Sequence, residues 1–151
     1  MTTQAITDNR KARHDYFLFD KYEAGLELKG SEVKAIRDGH CNLRDAFVRI
    51  ARGEAFLINM HISPYRYTHD FVPEALRTRK LLLKKREIAK LYGQISQKGY
   101  ACVPLRLYFK RNLVKVEIAV ATKKKAYDKR ETIKREIHKR ETDRAMKQRL
   151  R

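Results

Sequence analysis

Residues 101–121 read ACVPLRLYFKRNLVKVEIAVA. In the second half, Val114, Val116, Ile118 and Val120 fall two apart, so an extended chain puts all four on one face. The first half, 101–110, also reads as a strand, and Arg111 with Asn112 supplies a tight turn between the two. An antiparallel pair is therefore the frame in which the rest of the chain is read.

Upstream, AFVRIARGEAFLINMHI (46–62) alternates around Gly53 and predicts a second hairpin. HDYFLFD (14–20) and AGLELKG (24–30) read as two further short strands, with Leu26 and Leu28 on one face. SEVKAIRDG (31–39) predicts a short helix with Ser31 as N-cap, Val33 and Ile36 on one side, and Gly39 as its stop. RTRKLLLKKREIAKLYGQIS (77–96) predicts the longest helix before the tail, its stripe formed by Leu81, Ile88, Leu91, Tyr92 and Ile95. The sum is a mainly β chain with two to three helices. A small, partly open antiparallel barrel of the OB-fold kind accommodates it, and a mixed sandwich is the alternative. Residues 1–8 carry no periodic signal and are expected to be disordered. The folded domain then spans 9–121, and composition shifts sharply after Ala121 into a basic tail, 122–151.

Charge narrows the function. The 151 residues hold 36 Lys and Arg against 18 Asp and Glu, a formal net charge of +18. Such an excess attracts polyanions regardless of sequence. No apolar run approaches the roughly 20 residues of a spanning helix, and the N-terminus has no apolar core of a secretory signal. Cys41 and Cys102 read as free thiols of a reducing, cytoplasmic compartment. His14, His40, His61, His69 and His138 show no zinc spacing, and there is no phosphate-binding glycine loop. No catalytic residue, metal site or cofactor is expected.

Three features point to RNA. Asn9, Arg10, Lys11, Arg13 and His14 stand just before Tyr16, Phe17 and Tyr22, which interleaves phosphate-gripping cations with groups able to stack on a base. Phe17 and Phe19 are expected in the core, and Tyr22 fits either role. The run Leu81–Leu83 is the second feature: three consecutive leucines cannot share one face of a helix. Leu82 and Leu83 either tuck under loops or pack on a sugar or base among Arg77, Arg79, Lys80, Lys84 and Lys85. Glu23 is the third, an acid beside a basic arm, either solvated and paired or accepting hydrogen bonds from base amino groups. The tail, 122–151, carries 13 Lys and Arg against 5 Asp and Glu, a net +8, with no Gly or Pro. Its apolar pairs, Ile133 with Ile137 and Met146 with Leu150, make no continuous stripe. Such a segment is expected to be largely unfolded alone and helical in a polyanionic groove.

Together the stretches NRKARHDYF, YEAGLELKGSEVKAIRDG, GEAFLINMHISPY, RTRKLLLKKREIAKLYG, VPLRLYFKRNLVKVEIAVA and KKKAYDKRETIKRE make the chain resemble the small protein B family, the SsrA-binding proteins of bacterial trans-translation. The resemblance runs in order from residue 9 to about 144. It implies a non-enzymatic OB-fold protein, a monomer, that binds the tRNA-like domain of tmRNA (SsrA RNA) and brings it to ribosomes stalled on truncated messages. Elongation factor Tu joins the delivery complex, and the tail enters the vacant messenger channel near small-subunit rRNA of the decoding centre. RNA binding is implied for Asn9, Arg10, Lys11, Arg13, His14, Glu23, Lys80 and Leu82. Ribosome binding is implied for Lys124, Lys125, Tyr127, Asp128, Lys129, Arg130 and Ile133. Lys123 stands where family tails often carry Gly, and the loop 66–79 departs from the usual Asn-His-Asp-Pro spacing, so no role passes to His69 or Asp70. A ribosomal or ribosome-assembly protein bound to rRNA is the alternative reading.

Overall fold

The computed structural model describes residues 3–68 and 72–149; His69, Asp70 and Leu150 lie outside them. The central hairpin is as expected. β8 (Tyr100–Lys110) and β9 (Leu113–Lys123) pair antiparallel, and Arg111 and Asn112 both take positive φ at the turn. Val114, Val116, Ile118 and Val120 are all buried, which fixes the inner face of β9. β4 (Phe47–Ala51) and β5 (Glu54–Ile58) form the second hairpin around Arg52 and Gly53.

β2 (Tyr16–Leu26) is one long strand on β9, where two short ones are expected. An irregularity between Leu18 and Lys21 absorbs the change of phase that makes the segment look like two pieces. The larger correction concerns the leucine run. Arg79–Leu82 is a strand, β7, between β2 and β5, and the helix α3 begins only at Lys85 and runs to Ile95. Alternation solves the geometric problem posed by the leucines: Leu81 is buried and Leu82 points out. Glu87 accepts the Lys84 backbone N–H at 3.0 Å and marks where the helix starts.

The N-terminus is a second correction. Thr3–Asp8 form β1, paired along the edge of β8. Its register comes from the β8 backbone, a partner that a six-residue polar segment does not announce. α1 (Arg10–Asp15) follows, a short helix that the pattern reading misses. α2 is Gly30–Arg37, and its N-cap is Lys29, two residues before the expected Ser31. Glu32, not Ser31, satisfies its first turn by accepting the Lys29 N–H at 2.9 Å. β3 (Cys41–Asn42) and β6 (His61–Ile62) make a separate two-stranded ladder.

The main sheet runs β1-β8-β9-β2-β7-β5-β4, every pair antiparallel. It curls until β4, at the far edge, lies against β8 without a ladder between them. This is a partly open barrel. The principal core fills its inside, with Leu57, Met60, Leu91, Val116 and Ile118 all inaccessible. A second, smaller cluster sits outside β8 and β9, where Ala12 of α1 covers Val103, Leu105, Ala119 and Ala121. The tail leaves the barrel at Lys123 and continues as α4, Ala126–Arg149.

Candidate nucleic-acid interface

Register decides which side chains meet. On β2, Tyr22 and Ala24 face the core, so Glu23 and Gly25 face outward. Gly25 pairs with Leu82, so the outward row continues onto β7, where Lys80 lies two residues away. On the other side, Glu23 pairs with Glu117 and Gly25 with Lys115, and Glu117 pairs with Arg106 and Lys115 with Tyr108. Glu23, Lys80 and Leu82, distant in sequence, therefore share one outer face with Arg106, Tyr108, Lys110 and Lys115. Pattern reading does not single out those last four. The signal was available: once the even-numbered residues of 114–120 are assigned inward, Lys115 and Glu117 must point out.

The face is mostly cationic, and its carboxylates are held. Glu23 accepts a hydrogen bond from the Tyr108 hydroxyl and another from Lys110 Nζ at 3.2 Å. The Tyr108 bond, aided by Lys110, outweighs the cost of partial burial and keeps the Glu23 carboxyl below the usual carboxylate range. Tyr108 titrates well above a free phenol, first because it is buried and then because Glu23 holds its proton. Glu117 lies 3.5 Å from Arg106, whose guanidinium sits 4.7 Å from the Tyr108 ring centre. Leu82 is 53% exposed, and Gly25 leaves the space it occupies: a Cβ on Gly25 would meet the Leu82 Cβ at 3.3 Å.

The arm divides into two kinds of residue. Asn9 is buried and its side chain is fully engaged. Its amide donates to Pro104 O at 2.8 Å and to Leu43 O at 3.2 Å, and its Oδ1 caps α1 by accepting the Ala12 N–H at 3.2 Å. It ties β8 to the turn before β4 across the open seam. Arg10, Lys11, Arg13 and His14 lie on the exposed or half-buried side of α1. Lys11 pairs with Asp45 at 2.6 Å, Arg13 with Asp8 at 3.1 Å, and His14 Nδ1 lies 3.1 Å from Asp15. Arg10 has no such partner among the described residues.

Several basic and aromatic residues fall elsewhere than expected. Arg79 is wholly buried. Its Nε donates to Glu32 Oε2 at 2.8 Å, and its other nitrogens donate to the carbonyls of Met60, Arg77 and Ala75 at 2.6–3.1 Å. Arg77 also reaches Glu32, at 2.5 Å. This cluster clamps the segment that leads into β7. Phe17 and Phe19, expected in the core, are 45% and 48% exposed. Phe17 has inward parity, opposite Thr122, but lies near the N-terminal end of β2, where it stays half exposed beside Lys124. Tyr22 is buried, its hydroxyl donating to Gln94 at 2.6 Å.

The tail is rooted in the same arm. Lys124 donates its backbone N–H to Asp15 O at 2.8 Å and its Nζ to Thr132 at 2.9 Å, and it sits 5.2 Å from the Phe17 ring centre. It is buried, unlike the exposed Lys125 and Arg130. Lys129 lies 3.4 Å from Asp15, and the hydrogen bond from His14, with this cation's help, holds the Asp15 carboxyl low against burial. Tyr127 falls in the first turn of α4, and Asp128 is half-buried there. Ile133, Ile137 and Met146 are all more than 40% exposed, so α4 buries no apolar stripe of its own.

A chain carrying +18 overall, whose barrel has a cationic outer strand face and whose tail is an uncovered basic helix, falls in the class of small β-barrel proteins built to meet a polyanion. A family model described as SmpB protein matches residues 6–148. The chain is 54% identical to the SsrA-binding protein of Geobacillus thermodenitrificans over 97% of its own length and 94% of that protein's. It is 56% identical to the SsrA-binding protein of Trichodesmium erythraeum over 95% and 92%. Among solved structures, it matches a chain of "tmRNA-SmpB: a journey to the center of the bacterial ribosome" with TM-score 0.69 and 43% identity, covering 81% of this chain and 86% of that one. The chain belongs to the SmpB family.

Proposed function

We propose that this protein binds the tRNA-like domain of tmRNA and carries it to ribosomes stalled on truncated messages, with α4 occupying the empty messenger channel. The observation that carries this reading is the outer strand face. It gathers Glu23, Lys80 and Leu82 beside Arg106, Lys110 and Lys115, offering phosphate contacts, an apolar contact and one acceptor. Phosphate contacts position an RNA, whereas acceptors and apolar groups discriminate bases. The names of the relatives, SsrA-binding proteins, support the choice of RNA.

In this reading Arg10, Lys11, Arg13 and His14 grip the backbone from α1, and Asn9 contributes by holding α1 in place. Lys125, Asp128, Lys129, Arg130 and Ile133 meet ribosomal RNA from α4, while Lys124 anchors the helix root. Elongation factor Tu joins the delivery complex. The test is to sequence the RNA that co-purifies with the tagged protein from its own cells. A single small tRNA-like species is expected. Ribosomal RNA from intact subunits in its place would overturn the reading.

A further inference from the structure

Beside the outer face lies a groove of about 900 Å³ between the β4–β5 turn, β7 and α3. This is within the roughly 300–1,000 Å³ of sites that hold a drug-sized ligand, room enough for a base and its phosphate. Its apolar lining includes Leu82, Ile88 and Tyr92. Tyr92 is 57% exposed on α3, and its hydroxyl has no hydrogen-bond partner among the described residues. Its rim is cationic: Arg52, Lys80 and Lys85. Lys80 is 3.2 Å from Glu54, but Arg52 and Lys85 have no ion-pair partner among the described residues. Arg52 is held at the tip of the hairpin by a positive φ of 54°, in the left-handed region. An exposed aromatic plane on an apolar floor, with unpaired cations at the edge, matches a flat ring that carries an anion.

We propose that this groove takes one unpaired base of the RNA bound on the neighbouring face, stacked on Tyr92 beside Leu82, with its phosphate between Arg52 and Lys85. The inference deepens the tmRNA-binding reading and rests on it. Continuity favours RNA over an acidic peptide, because Lys80 and Leu82 belong to both the groove and the outer face. Every nucleotide joins a flat ring to a phosphate, the pairing this groove offers, whereas an acidic peptide does so only where an aromatic residue happens to stand beside its carboxylates.

The test uses the full chain and a tmRNA fragment comprising the tRNA-like domain, with 4-thiouridine in place of uridine. Photocrosslinks are expected in the segment 86–98. Tyr92→Ala should weaken binding roughly fivefold to a hundredfold, the contribution of one base–aromatic stack, without changing the salt dependence. Tyr92→Phe should bind like the parent, since stacking does not need the hydroxyl. Arg52→Gln should reduce the salt slope by about one contact. Tyr92 is exposed, so unchanged thermal melts are expected to accompany these effects. Undiminished binding by Tyr92→Ala, a Tyr92→Phe variant as weak as Tyr92→Ala, or crosslinks confined to other segments would overturn the groove assignment while leaving tmRNA binding intact. A parent protein that does not bind the fragment would instead sink the tmRNA reading, and the groove assignment with it.

Discussion

Glu23 is a carboxylate set among cations on a face that should attract phosphate. Simple electrostatics says that removing it tightens RNA binding. The geometry says otherwise: Tyr108 and Lys110 fix both its oxygens in place, as an acceptor must be fixed to discriminate a base amino group. Glu23→Ala should therefore weaken tmRNA binding by about 1–3 kcal/mol in a gel shift, with the circular dichroism spectrum retained. Equal or tighter binding would reduce Glu23 to a solvated partner of Lys110. At this scale the candidate site was partly legible. Arg10, Glu23 and Leu82 were marked by residue type and by the impossible leucine stripe. For Asn9 only the fold reveals that its amide is engaged by Leu43 and Pro104. Gly25, Tyr108 and Lys110 were invisible because they join the site through strand register, which no local pattern records.

At the scale of elements, the ion cluster behind β7 holds the presenting strand. Removing one partner leaves the other charge buried, so Arg79→Met should cost about 3–5 kcal/mol in denaturant unfolding. The double variant Arg79→Met with Glu32→Gln should recover part of that loss. Burial pushes the Glu32 carboxyl up, but hydrogen bonds from Arg77, the Lys29 N–H and Arg79 outweigh it, and the net shift is downward. A carboxyl lowered on folding stabilises fully above its unfolded value and loses that contribution as pH falls through the folded one. Acid titration of stability should show this loss in the parent and not in Glu32→Gln. The same segment shows why element types were not all legible. Leu, Lys and Arg are good helix formers, and Leu81, Ile88, Leu91, Tyr92 and Ile95 satisfy a helical period from which only Leu82 and Leu83 depart. Pairing with β2 and β5 overrides that preference for the four residues of β7. The two hairpins were legible because alternation and turn chemistry agree there. For α4 the expected outcome is functional. Ile133→Pro should break the helix at a cost of about 3 kcal/mol and abolish peptide tagging of stalled chains while sparing tmRNA binding. Normal tagging would show that a continuous helix is not required.

As a whole, the molecule joins a barrel that holds the core to a helix that buries little of its own. The +18 charge is shared between them, and the tail holds +8 of it. The charge and the barrel class could be read from composition and alternation. The root of the tail could not, since Lys124 and Lys129 meet Asp15 across more than a hundred residues of chain. That root places α4 beside α1, so the basic arm and the tail start from one point. The division of labour is the central claim, and a protein ending at Lys125 tests it most directly. That cut keeps all of β9 and the Lys124 bond to Asp15, and removes α4. Measured side by side, tmRNA binding should match the full chain, and peptide-tag addition to a stalled nascent chain should be lost. Normal tagging by the shortened protein, or loss of its tmRNA binding, would contradict the account.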